Sequence, residues 1–62
     1  MRNLIASAAT KEELEQAINR YYFSGGLYII TEDNRVYNSK RGECLTGVKV
    51  EIKKGRWRFV LA

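Results

Sequence analysis

The sequence predicts an α+β fold in which one N-terminal helix packs on a small antiparallel sheet of three to five strands, built from two consecutive hairpins. Apolar residues recur with helical spacing over residues 11–23, and the spacing changes to strand-like alternation after Gly26. Turn-forming residues separate the later apolar runs, as expected of successive hairpins. At 62 residues, the chain is expected to form a single domain spanning residues 1–62.

Residues 1–9 precede the helix, and the sequence leaves three structures open for them. They would form a short helix capped by Asn3, an edge strand of the sheet, or a frayed arm. The apolar stretch at Leu4-Ile5 is too short for the hydrophobic region of a signal peptide. We therefore expect no secretory leader here.

The helix is expected to begin at Thr10, because Thr10 and Glu13 have the spacing of a capping box. One apolar stripe follows at intervals of three and four residues: Leu14, Ala17, Ile18, Tyr21 and Tyr22. We expect Leu14, Ile18 and Tyr21 of this stripe to pack on the last hairpin. Ser24-Gly25-Gly26 is expected to end the helix, with a glycine in the left-handed conformation after the last turn.

Residues 27–38 predict the first hairpin. Leu27–Thr31 has the β-branched and aromatic composition of a strand, Glu32–Asn34 is turn-forming, and residues 35–38 return. Residues 39–42 form a further turn, and Cys44-Leu45 opens another strand that is interrupted near Gly47.

The faces of this hairpin depend on the length of its connection. A connection of four residues (32–35) or two residues (33–34) places Tyr28, Ile30 and Tyr37 on one face. Leu27, Ile29 and Val36 then share the opposite face, whereas a connection of three residues would change these assignments.

Residues 48–62 predict the second hairpin, with Lys54-Gly55 as a two-residue loop. This register places Ile52 opposite Trp57, Val50 opposite Phe59 and Val48 opposite Leu61, so that every large apolar side chain except Val60 faces the helix. The other face carries the charged residues of both strands: Lys49, Glu51, Lys53, Arg56 and Arg58.

Composition excludes several classes of function. The chain has no histidine and one cysteine, Cys44, so it has neither an intrachain disulfide nor the usual ligands of a zinc site. It also lacks a phosphate-binding glycine loop and is too small for an ordinary substrate pocket. We expect no enzymatic activity, cofactor, metal or small-molecule substrate. Cys44 is expected to pack as a small apolar residue, although its burial is left open.

The lone thiol favours a reducing compartment, so we expect a cytoplasmic protein, and no run of residues is apolar enough to span a membrane. A chain that starts at Met1 and ends on a strand is typical of a free-standing small open reading frame. Such proteins are frequent in phages and mobile elements, which is our expectation for its source.

Two functions compete. A small chain cannot cover both faces of an apolar strand, so we expect an intracellular interaction protein that contacts a protein partner, most simply itself as a homodimer, through a sheet face or edge. The candidate interface residues are Tyr28, Ile30 and Tyr37.

The alternative is a nucleic-acid-binding module, because residues 35–62 carry eight basic and two acidic side chains. The candidates are Lys49, Lys53, Lys54, Arg56 and Arg58, and they do not distinguish DNA from RNA. Residues 54–60 resemble the strand motif of RNA-recognition domains in composition, but their spacing differs and that fold needs two helices, so we assign no family. The two functions can be separated by whether the basic side chains form one continuous surface.

Overall fold

The computed structural model describes residues 4–61 and confirms the α+β class. Its elements, in chain order, are β1 (Leu4–Ala8), α1 (Lys11–Tyr21), β2 (Tyr28–Ile30), β3 (Val36–Asn38), β4 (Glu43–Cys44), β5 (Val48–Lys53) and β6 (Arg56–Leu61). In the part of the chain that is described, no helix is long and apolar enough to cross a membrane.

The prediction of a single sheet is wrong, because the strands form two antiparallel three-stranded sheets. The first has the order β1-β6-β5 and the second has the order β2-β3-β4. The strands of the second sheet are two or three residues long, and none of them pairs with a strand of the first sheet. The Val50 N–H donates to the Asn34 carbonyl at 3.3 Å and joins the sheets where they meet.

The first strand resolves the alternatives left open for residues 1–9. Residues 4–8 form an edge strand antiparallel to β6, with Ala8 opposite Trp57 and Ser7 opposite Arg58. The register shifts between Leu4 and Ala6, as in a β-bulge. Strand β6 is therefore paired on both sides and is the centre of the first sheet; residues 1–3 lie outside the described residues.

The helix begins as expected, since the Thr10 hydroxyl accepts a hydrogen bond from the Glu13 N–H at 3.2 Å. Its end differs from the prediction. Phe23, and not a glycine, is the left-handed residue after the helix cap, with φ +54°. The Phe23 N–H donates to the Arg20 carbonyl and the Ser24 N–H donates to the Asn19 carbonyl, which is the Schellman pattern. A bulky side chain in this conformation costs about 1 kcal/mol more than glycine.

The apolar stripe of α1 is narrower than predicted. Leu14 and Ile18 are fully buried, and Tyr22 packs against the core with its ring centroid 6.3 Å from that of Phe59. Tyr21 is exposed, contrary to the expectation that it packs on the last hairpin. Residues four apart stack along one helix face, so Tyr22 continues the line of Leu14 and Ile18 and Tyr21 lies to one side.

The first hairpin uses the three-residue connection. Ile29 lies opposite Tyr37 and Ile30 opposite Val36. Thr31 closes the turn, since its N–H donates to the Arg35 carbonyl at 2.8 Å and its hydroxyl accepts from the Arg35 N–H at 3.1 Å. This loop is an ordinary three-residue hairpin in which Asn34 takes the left-handed position at φ +63°.

The second hairpin has the predicted register, with Lys53 opposite Arg56, Ile52 opposite Trp57 and Val50 opposite Phe59. Lys54 and Gly55 both have positive φ, as a type I′ turn requires. Helix and both sheets meet in one core: Ala8, Leu14, Ile18, Ile30, Val36, Val50 and Phe59. Ile52 and Leu61 remain about half exposed because the hairpin extends past this core at both ends.

Candidate functional site

A depression on the outer face of the first sheet gathers most of the basic residues singled out in the sequence. Its volume is about 340 Å³. We call it the basic groove, and its lining residues are Leu4, Ser7, Lys53, Lys54, Arg56 and Arg58.

The hairpin register explains why these side chains meet. Alternate residues of a strand point to the same face, so Arg56 and Arg58 lie side by side on β6. Lys53 is directly opposite Arg56, and Lys54 follows in the turn. Like charges that face each other across strands are destabilising. The groove therefore holds a repulsion that a bound anion would relieve.

Strand β1 supplies the second wall. Ser7 lies opposite Arg58, and its hydroxyl accepts a long hydrogen bond of 3.4 Å from Arg56 Nη2. Leu4 lies opposite Val60 and covers it, which explains why Val60 is buried on a face that is otherwise charged. The sequence had left the structure of this segment open, so Ser7 and Leu4 could not be assigned to the site beforehand.

Arg58 is the most buried cation of the groove. Its Nε lies 3.5 Å from Glu51 Oε2 on the neighbouring strand, as predicted from the register, and its side chain is 19% exposed. The Nε–H nevertheless makes no hydrogen bond within the described residues. Glu51 therefore compensates the charge of Arg58, but the buried Nε–H stays without a hydrogen bond among the described residues.

Four of the five candidate cations are thus brought together, and Lys49 is not among them. Lys49 lies on the same face, exposed, opposite Val60 and farther along the hairpin. Its distance from the turn follows from strand geometry, because four residues span about 13 Å.

The structure does not bring the candidate protein-interface residues together. Ile30 is buried in the core at 2% exposure. Tyr28 is half-buried, and its ring centroid lies 4.9 Å from that of Tyr22. Tyr37 pairs with Ile29 on the other face of the second sheet. The prediction that these three side chains share one face was wrong. The hairpin connection has three residues, and an odd number places Tyr37 on the face opposite to Tyr28 and Ile30.

The outward edge of β2 is also occupied. Asn19 on α1 accepts the Tyr28 N–H at 2.8 Å and donates to the Tyr28 carbonyl at 2.9 Å. Glu15, one turn earlier, accepts the Ile30 N–H at 3.0 Å. The helix thereby satisfies the backbone groups through which another strand would pair at this edge. The sequence places Glu15 in the first turns of the helix, and only its position beside β2 reveals this contact with the Ile30 N–H.

Among residues 4–61, two side chains have shifted pKa values, and both lie away from the basic groove. Burial raises the pKa of the Tyr22 hydroxyl above its usual 10.0, and the neighbouring Tyr21 and Tyr28 add to the shift. A hydrogen bond from the Thr31 hydroxyl lowers the pKa of Asp33 in the exposed turn. Both shifts follow from local packing or turn structure.

The basic groove has the side-chain chemistry that binding of an anion would require. Its side chains offer positive charge and N–H donors, and Cys44 lies elsewhere, half-buried opposite Tyr37. Within residues 4–61, no cluster of three or more His, Cys, Asp or Glu side chains is arranged to hold a metal ion. Comparison with known proteins finds no matching family model, curated protein or solved structure.

Proposed function

We propose that this chain is a small nucleic-acid-binding module that grips the phosphate backbone with the basic groove. The observation that carries the proposal is the convergence of Lys53, Lys54, Arg56 and Arg58 on one depression. Scattered surface lysines would instead be expected if the charge served solubility alone. The free Cys44 supports a cytoplasmic setting, where thiols stay reduced.

The groove is suited to backbone contacts and poorly suited to reading bases. Trp57 lies on the opposite face of β6, packed against the core, so the groove has no aromatic platform on which bases would stack. Phosphate contacts carry no sequence information. We therefore expect binding that is sequence-tolerant and at least as strong on duplexes as on single strands.

The test is the salt dependence of binding to a fluorescein-labelled DNA duplex, followed by anisotropy between about 50 and 200 mM salt. Each phosphate contact contributes a slope of about −0.9 in log K against log salt. The double variant Lys53→Gln/Arg56→Gln should reduce the magnitude of the slope by about 2 and weaken binding. A matching single strand and an RNA duplex of the same sequence complete the probes.

The matched control is Arg35→Gln/Lys40→Gln, which removes two exposed cations outside the groove and has the same net charge. It should retain most of the wild-type affinity. Absence of binding at the lowest salt would reject the proposal, as would equal losses in the two variants, because equal losses indicate attraction by net charge alone. Circular dichroism of both variants would check that each is folded.

A further inference from the structure

Phe23 combines two unfavourable features at one position. Its side chain is 94% exposed, and its backbone is held in the left-handed conformation at φ +54°. Bulky residues rarely adopt this conformation, and such outliers are concentrated at functional positions. The Schellman hydrogen bonds hold the backbone of Phe23, but its ring is left exposed and is therefore available as a docking anchor.

A second depression lies directly beside this ring, between α1 and β2, with a volume of about 500 Å³. We call it the helix groove. Along α1 it is lined by Glu15, Gln16, Asn19 and Arg20, and Phe23, Gly25, Gly26, Tyr28 and Ile29 complete it. A side chain added at Gly25 or Gly26 would meet nothing within 4 Å, so this wall is open backbone. Ile29 adds an exposed apolar surface.

We propose that the helix groove binds a second copy of this chain, with Phe23 of each copy seated in the groove of the other. An interface with two-fold symmetry uses the same patch on both subunits, so the patch must complement itself. A projecting ring beside a depression of suitable size meets that requirement. The interface is distinct from the basic groove, with which it shares no lining residue.

The charged side chains that line the helix groove also favour a second copy of this chain as its occupant. The helix groove contains one acidic and one basic side chain, Glu15 and Arg20, spaced along α1. Two copies packed with their helices antiparallel would place Arg20 of each copy beside Glu15 of the other. The two ion pairs would make the interface electrically neutral and attractive.

The experiment is sedimentation equilibrium from about 1 μM to about 1 mM protein, which brackets weak and moderate dissociation constants. The wild type should form a dimer in this range. Phe23→Gly should weaken dimerisation at least tenfold while the chain stays folded, because glycine adopts positive φ without strain. This variant therefore separates loss of the interface from loss of the fold, which circular dichroism monitors.

Two controls sharpen the result. Ile52→Ala removes another exposed apolar side chain outside the helix groove and should leave the dimer unchanged. Arg20→Glu should weaken the dimer, whereas Lys11→Glu, the same charge change elsewhere on α1, should not. A wild type that stays monomeric throughout, or a Phe23→Gly variant that associates as the wild type does, overturns the proposal. Neither result bears on the basic groove, which is tested by nucleic-acid binding.

Discussion

At the scale of single residues, left-handed backbone occurs at three non-glycine positions of the described chain, namely Phe23, Asn34 and Lys54. Asparagine tolerates this conformation, which makes Asn34 an ordinary turn residue. Phe23 and Lys54 do not share that tolerance, and each lines one of the two candidate surfaces. The two positions at which a positive φ is unfavourable therefore coincide with the two candidate surfaces.

The substitution Lys54→Asn tests this interpretation. Asn-Gly is the favoured pair for a type I′ turn, so we expect the free energy of unfolding to rise by about 0.5–1 kcal/mol. The same change removes one cation from the basic groove and should lower nucleic-acid affinity. Urea denaturation and anisotropy measure the two effects. Lys53→Asn removes an equal charge from a strand position and should bring no gain in stability; a similar gain there would contradict the explanation.

At the scale of elements, α1 does more than cover the core. Its side chains Asn19 and Glu15 complete the hydrogen bonding of β2, and Asn19 also accepts a hydrogen bond from the Ser24 hydroxyl just after the helix. The helix, its C-terminal loop and the edge strand are thus held by one buried amide. A buried polar network of this kind stabilises a fold only while all its members are paired.

We expect Asn19→Ala to lower the free energy of unfolding by about 2–3 kcal/mol, because it leaves the Tyr28 N–H and carbonyl without partners. Asn19→Asp turns a carboxylate oxygen toward the carbonyls of Glu15 and Tyr28, and should lose at least as much stability as Asn19→Ala. Gln16→Ala, an exposed site on the same helix, should change stability by less than about 0.5 kcal/mol. Urea denaturation gives these values. Equal stability of the Asn19→Ala and Gln16→Ala variants would show that the network contributes nothing.

At the scale of the whole molecule, the two sheets are separate ladders that share one apolar core. Val36 of the second sheet and Phe59 of the first are both almost completely buried in it. The backbone contact from Val50 to Asn34 joins the sheets at their boundary. Neither sheet has a second core of its own among the described residues, so we expect them to unfold together.

The substitutions Val36→Ala and Phe59→Leu test this cooperativity. Each should lower stability by roughly 1–2 kcal/mol, through the cavity it leaves. Both should shift the same single transition, whether it is followed by Trp57 fluorescence in the first sheet or by amide exchange of Tyr37 in the second. Two transitions, or a variant that affects only its own sheet, would show that the sheets are independent.

The sequence by itself determined the features that depend on neighbouring residues. The cap at Thr10 and the register of β5 and β6 were predicted correctly, because capping and hairpin pairing act across a few residues. The alternation of charged and apolar side chains placed four cations on one face for the same reason. The composition of the basic groove was therefore largely predictable.

The tertiary structure decided what depends on distant contacts. Strand β1 pairs with β6, although the two strands lie near opposite ends of the sequence. Only that pairing brings Ser7 and Leu4 to the basic groove. The three-residue connection of the first hairpin exchanged Val36 and Tyr37 between the expected faces. The position of β2 beside α1 gave Asn19 its role and placed Phe23 in the open. Such arrangements are determined by how the helix and the strands pack into one core. Local secondary-structure propensity does not determine them.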